Sequence, residues 1–363
     1  MRKLIPPLAA FLAQRLATLL CGAIAGVDAL PPAGWVRWDA AFYLDLAGGG
    51  YRPPFPCPPE SHYPATAWCG NTGWFPGYPW LIWLVSEAGL ALPAAALLAS
   101  ALAQAGCLVL LWRMLECDGR QWPALLFGAF FFGSIYSAAP FPISFCLLAL
   151  LGCIHLCTQG RWGPAAACSA LAAATYPPAL FAFPALLVWA ALRRDWRALL
   201  PAAGMLLGVA AVAVTLQLQA GDWRAFLLVQ SKYRYSGNAA INLFDTLGAH
   251  LKPLVNSRYR DAKGLVTGLQ TLSVLALVIA LGARARRWWA EPRASLLLLY
   301  GAAVWAAPLA IGGQLSLHRS EALLLPAALL LPGLPRPLQI AFTAAAAGLF
   351  LPMGALFFKG ALV

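Results

Sequence analysis

Three groups of side chains in this sequence have the types and surroundings to do chemistry. The first is the carboxylate of Asp39, in RWDAAFYLDLAGGGY (37–51), with Asp45 six residues on. A carboxylate within hydrogen-bond reach of a hydroxyl takes its proton as the oxygen attacks. The plainer use of Asp39 is to cap a helix or pair with Arg37. On a helix the two acids point to different faces, so a paired carboxylate site is not required, and a solvated Asp45 is the plainer reading. The second group lies in QSKYRYSGNAAINLFDTLGAHLKPLVNSRYR (230–260), where Lys232, Arg234, Lys252, Arg258 and Arg260 outnumber the acids. Interleaved with Tyr233, Tyr235 and Tyr259, these cations suit a lipid phosphate, because a placed Lys or Arg stabilises charge on its oxygens. Attraction to anionic head groups is the plainer use. Lys232 and Arg234 are the favoured pair. The third group is His318 and Arg319 in SLHRSEALLLP (316–326). An arginine opening an apolar segment is placed to hold a phosphate. Its histidine neighbour has the intrinsic range to titrate near neutral pH, and a surface imidazole is its plainer reading. No Asp-x-Asp pair or histidine cluster asks for a metal, and no cofactor is expected.

The elements that must position these groups are membrane helices. The 363 residues are 61% hydrophobic and 10% charged, with a mean hydropathy of +0.72. Soluble domains carry about 25% charged residues, so this chain needs the bilayer as its solvent. The apolar runs are long and do not alternate, which excludes a spanning barrel. About eleven segments are expected: roughly 8–27, 92–113, 122–138, 141–158, 163–175, 178–192, 198–219, 264–283, 294–311, 320–334 and 338–357. They form one all-α polytopic domain over 1–363, with two long loops at about 28–91 and 220–262. Residues 78–90, YPWLIWLVSEAGL, read as an interfacial helix because Trp and Tyr prefer the membrane boundary. The basic N-terminus reads as an uncleaved first helix rather than a signal peptide, although Arg15 inside it is anomalous and is expected to snorkel or to lie at the interface.

The formal net charge is +12. Much of it falls in alternate short turns: Arg113 and Arg120, Arg161, Arg193 to Arg197, Arg284 to Arg293, and Arg336. The turns at 139–141 and 175–178 hold no Lys or Arg. The positive-inside rule then puts both long loops and the turn at 312–319 on the outer face. Six of the nine cysteines, Cys21, Cys107, Cys146, Cys153, Cys157 and Cys168, lie in apolar segments. Cys57 and Cys69 lie in the first loop, where an oxidising compartment would let them close a short loop. Zinc is the rival, without a Cys-x-x-Cys or a histidine pairing to support it.

The first loop also carries two linked motifs. Trp38-Asp39, Phe42-Tyr43, Leu46-Ala47 and Gly50-Tyr51 are followed by Phe75-Pro76-Gly77-Tyr78-Pro79. This order resembles the first external loop of the GT-C superfold, the polytopic glycosyltransferases that use polyprenyl-phosphate sugars. Within it the loop looks most like the family of the second mannosyltransferase of glycosylphosphatidylinositol anchor synthesis (PIG-V) and its bacterial relatives. The resemblance implies an inverting transfer, of mannose in the first instance, from a polyprenyl-phosphate donor to a lipid or periplasmic acceptor. It implies Asp39 as general base, with Trp38, Tyr43, Tyr51, Phe75 and Tyr78 around the substrates and, by a partial match in which Ser320 replaces a Tyr, Arg319; Asp45, at a position the family leaves variable, Lys232, Arg234 and His318 join the candidate substrate-binding residues on their own chemistry. It places the protein in a bacterial cytoplasmic membrane with an outer-face site, or in the endoplasmic reticulum with a luminal one. Nucleic acid is not an expected partner there. The chain departs from the family pattern twice: an acid is missing around Pro140-Phe141-Pro142, and Tyr176 stands in Thr175-Tyr176-Pro177 where many relatives have Arg. These losses keep an inactive scaffold for a partner enzyme in play. A lipid-linked sugar transporter would need ionisable residues within its helices, and these are few and scattered.

Overall fold

The computed structural model describes residues 4–61, 63–64, 66–233, 242–311 and 317–362. It is helical throughout apart from one two-residue hairpin, Phe55–Pro56 against Trp68–Cys69, among the described residues. The chain opens with α1 (Ile5–Ala25). The first loop carries α2 (Ala40–Gly49) and α3 (Gly77–Ser86), and α4 (Leu92–Met114) returns across the bundle. Then come α5 (Trp122–Ala129), α6 (Ile135–Ala138), α7 (Ile143–Thr158), α8 (Trp162–Thr175), α9 (Phe183–Arg193) and α10 (Leu200–Ala220). The second loop carries α11 (Ala225–Ser231) and α12 (Leu243–Val255). It is followed by α13 (Ala262–Gly282), α14 (Ala285–Trp288), α15 (Pro292–Ile311), α16 (Leu317–Ser320) and α17 (Arg336–Phe358).

Proline marks the starts. Helices α1, α4, α5, α9, α10 and α17 each place a proline in their first two positions, where its missing N–H costs no bond. Asn242 and Asp261 accept from backbone N–H groups at the starts of α12 and α13. Small residues set the closest packing. Helix α8 is alanine-rich, and Gly204 and Gly208 of α10 face it. A Cβ at either glycine would lie against the carbonyl oxygen of Ala166 or Ala170. Ser169 Oγ donates across this contact to the Pro201 carbonyl at 2.6 Å. Without water to drive association, backbones in a membrane pack through such small-residue faces.

Six helices are long and apolar enough to cross a membrane: Ile5–Ala25, Leu92–Met114, Trp196–Ala220, Ala262–Gly282, Pro292–Ile311 and Arg336–Phe358. The protein is therefore a multi-pass integral membrane protein. The other expected segments are shorter or differently wound. Helix α7 has 16 residues and α8 has 14, against about 20 for a full crossing. The segment expected over 122–138 breaks into α5 and α6. The segment expected near 320–334 is a buried run of 3₁₀ turns, Glu321–Gly333, with Pro326 and Pro332 inside it. Each proline removes a donor that an α-helix would need.

Arg15, anomalous in the sequence, has partners within the protein. It donates to the Ala138 carbonyl at 2.9 Å and to Gln104 Oε1 at 2.7 Å, inside the bundle. The arginines of the short turns, by contrast, gather at one end. Arg293 donates to Met114 O at 2.6 Å, and Arg336 donates to Arg120 O at 3.2 Å. If the two long loops share the opposite face, Glu60→Cys and Arg258→Cys, both at exposed positions, are expected to react with an impermeant maleimide from the same side. Labelling from opposite sides would overturn that arrangement.

Candidate active site

The first loop is fastened to the end of α17. Trp35 Nε1 donates to Ala29 O at 2.8 Å, and its ring meets Phe358 edge-on at 5.0 Å. Trp38 packs edge-on against Phe357 at 5.4 Å. Trp38 takes a φ of 45°, a left-handed conformation that strains a bulky residue. Asp39 follows at once. Its backbone oxygen accepts from Phe42 and Tyr43 at 3.0 and 3.2 Å, while its carboxylate makes no capping bond. Nor does it pair with Arg37, which donates to Phe358 O at 3.3 Å. The carboxylate instead forms an ion pair with Arg319.

Arg319 sits on α16, with its guanidinium 5.9 Å from the ring centres of both Tyr136 and Phe141. Burial pulls its pKa down, but the Asp39 carboxylate and the nearby Tyr176 and Tyr136 lift it above the usual arginine value. The backbone under Arg319 is held from α13: Gln270 Nε2 donates to His318 O at 3.0 Å and to Glu321 Oε2 at 2.6 Å. His318 is not a surface imidazole. It is 4% exposed, and its Nε2 is 2.8 Å from Tyr136 Oη. Burial, with the charges of Arg319, His250 and Lys263, keeps its pKa well below the ordinary range, so it is neutral at neutral pH.

Lys232 arrives from the second loop, just after α11. Only 5% exposed, it lies 5.1 Å from the rings of Tyr63 and Tyr233 and 6.0 Å from that of Trp74. Trp74 in turn stacks on Phe42 of α2 at 3.6 Å. Burial lowers the Lys232 pKa and the field of Asp39 raises it. No carboxylate lies within ion-pair distance of Lys232 among the described residues. The site therefore holds a ring-enclosed ammonium close enough to feel a partly exposed carboxylate, which is itself gripped by a guanidinium. Rings stabilise a cation by about 0.5–2 kcal/mol each, which leaves room for a stronger anionic partner.

The structure thus brings together Trp38, Asp39, Lys232, His318 and Arg319. Tyr43 is buried beside them, edge-on to Tyr78 at 5.5 Å. Burial and the neighbouring Asp39 charge push its hydroxyl well above the usual phenol pKa. The remaining expected residues turn elsewhere. Asp45 pairs with Arg52 and accepts from Asn71 Nδ2 at 2.8 Å, a clamp across the loop. Tyr51 donates to Trp74 O at 2.6 Å. Phe75 packs on Phe226 at 4.8 Å, and Tyr78 Oη is 2.7 Å from Ser100 Oγ. Arg234 and Tyr235 lie outside the described residues. Tyr63, Tyr136, Phe141, Tyr176 and Gln270 were not picked out as site residues from the sequence. Phe141 and Tyr176 gave a signal, each standing at one of the two departures from the family pattern. Among the described residues no group of three His, Cys, Asp or Glu side chains is placed to hold a metal.

Residues 77–312 match Glycosyltransferase family 87, more than half of the chain. The matched span takes in Tyr78 and Lys232, and it stops short of Asp39 on one side and Arg319 on the other. No curated protein matches the chain.

Cys57 and Cys69 are joined, and Tyr63 lies in the loop they close. Replacing both by Ser is expected to cost about 3 kcal/mol of stability, the entropy of a loop of roughly this size. It is also expected to loosen Tyr63, so that Lys232 reacts faster with an amine-acylating reagent. Unchanged Lys232 reactivity in that double variant would show that Tyr63 is held by other contacts.

Proposed function

The chain belongs to glycosyltransferase family 87, and we propose that it transfers mannose from a polyprenyl-phosphate donor to a lipid or periplasmic acceptor at the outer face of the membrane. The observation that carries this reading is the enclosed Lys232 ammonium, without a carboxylate partner among the described residues, in the field of Asp39. A phosphate supplies the missing counter-charge, and a carboxylate beside it supplies the base. The likeness of the Trp38-Asp39 stretch to the PIG-V mannosyltransferases supports mannose and a polyprenyl carrier. The Cys57–Cys69 disulfide supports an oxidising outer compartment.

The step is a single displacement. The acceptor hydroxyl oxygen attacks C1 of the mannosyl unit on the face opposite the phosphate. The bond between C1 and the phosphate oxygen breaks, and its electron pair leaves on the polyprenyl phosphate. The hydroxyl proton passes to a carboxylate oxygen of Asp39, and C1 is inverted. Lys232, with Arg234 of the same loop, takes up the charge that builds on the phosphate. Arg319 holds the Asp39 carboxylate in one orientation. Trp38 precedes the base in the chain, and Tyr43 is buried close enough to feel its charge.

Asp39→Asn keeps an oxygen for Arg319 and cannot take a proton at neutral pH. Turnover with labelled polyprenyl-phosphate mannose is expected to fall by at least about 10²-fold, with donor affinity changed far less. Turnover within a few-fold of wild type would sink the assignment. A second outcome follows from the burial of Lys232. Its charged form binds the donor, and burial favours the neutral form. Donor affinity is therefore expected to be lost as pH rises, with a midpoint below the ordinary lysine value of about 10.4. Lys232→Arg, whose guanidinium stays charged, is expected to move that loss to higher pH. A pH profile identical in the two proteins would remove Lys232 from the donor site.

A further inference from the structure

His318 lines a second space. Between α12, α13 and α16 lies a cavity of about 370 Å³, walled by His250, Lys252, Tyr259, Asp261, Lys263 and His318. The Lys232 cage contributes nothing to this wall. His250 and Lys252 come from α12, Lys263 from the first turn of α13, and His318 from α16, so three elements bring two lysines and two imidazoles to one opening. Lys252 Nζ rests 3.9 Å from the ring centre of Tyr259. Asp261 is the one acid in the wall, and its Oδ1 already accepts from Gly264 N at 2.5 Å, capping α13. His250 Nε2 is buried with no hydrogen-bond partner in the protein. A buried polar nitrogen of this kind calls for a ligand atom or water.

We propose that this cavity is a second phosphate-binding site, distinct from the Lys232 cage, and that it takes the phosphate of a lipid substrate. Three features fit a phosphate. The two lysines come from different helices, as the separate oxygens of a phosphate require. The one carboxylate in the wall caps α13 through one of its oxygens. The volume admits the phosphate together with part of the group it is esterified to. On the glycosyl-transfer reading, a polyprenyl-phosphate donor carries one phosphate, which the Lys232 cage accommodates. A second basic cavity sharing His318 with the Asp39–Arg319 side of the site then serves either the phosphate of a phosphorylated acceptor or that of the departing carrier. The proposal rests on that reading for its assignment to a substrate, and on the cavity alone for phosphate binding.

The test separates the two. Purified full-length protein in neutral detergent is titrated with geranyl phosphate by calorimetry, with inorganic phosphate as competitor. Two classes of site are expected in the wild type. Lys252→Ala, at an exposed position that leaves the packing intact, is expected to weaken one class about tenfold, the loss of one charge-assisted hydrogen bond. His250→Gln combined with Lys263→Gln is expected to abolish that class, while Lys232→Ala removes the other. A single class, abolished by Lys232→Ala and untouched by Lys252→Ala, would overturn the proposal even if the enzyme turns over. Turnover assays assign the source. A raised KM for the acceptor in Lys252→Ala places the acceptor's phosphate in the cavity, and a raised KM for the donor alone places the carrier's there. If neither KM moves, the cavity serves no substrate. Two binding classes in a protein that transfers no sugar would uphold the cavity and discard the reaction.

Discussion

The ion pair between Asp39 and Arg319 joins residues 280 positions apart, and the arrangement of the site follows from it. Arg319 sits where an unpaired charge is expensive, and the Asp39 carboxylate supplies its counter-charge. Bringing them together fixes three things at once. The first loop must be pinned to the end of α17, which Trp35 and Trp38 do on Phe357 and Phe358. The arginine must be backed by rings, which Tyr136 and Phe141 provide. Its backbone must not slide, and Gln270 holds it by the His318 carbonyl.

Lys232 is stabilised in the opposite manner. It has aromatic faces where Arg319 has a carboxylate. Ring faces offer a cation less than an anion does, and they do not neutralise it. One cation in this site is thus satisfied at rest and the other is left with a charge to share. On the proposed transfer, where the leaving group departs as an anion, that difference has a use: the satisfied cation would keep the carboxylate aimed, and the other would receive the new charge.

The sequence showed the charged members of this site and missed their partners. Asp39, Lys232 and Arg319 are conspicuous because ionised side chains are rare in so apolar a chain. Tyr136 was hidden because it lies in a stretch that reads as one membrane segment, and its bond to His318 spans 182 positions. That unseen partner is why His318 looked like a surface group. The aromatic motif was visible without its division of labour. Spacing cannot distinguish Trp74, whose ring faces Lys232, from Tyr51 and Tyr78, whose hydroxyls are spent on Trp74 O and Ser100. Asp45 was separable from Asp39 by helical phase, and the structure turns it to Arg52. Membership of an all-α membrane class was plain from composition. The number of full crossings was not, because hydropathy registers apolar length and says nothing of winding.

That winding acts as a ruler. The 13 residues from Glu321 to Gly333 are 3₁₀ turns, rising about 2.0 Å each where an α-helix rises about 1.5 Å. Coiled as an α-helix, the same stretch would be shorter by about 6 Å. With Gly333 fixed at the far end beside Trp288, the shortfall would be taken up at Arg319, several ångströms from the carboxylate it grips. Pro326 and Pro332 therefore set a length as well as a fold: by withholding two donors from the α ladder, they keep the strut long enough for the ends of the chain to meet.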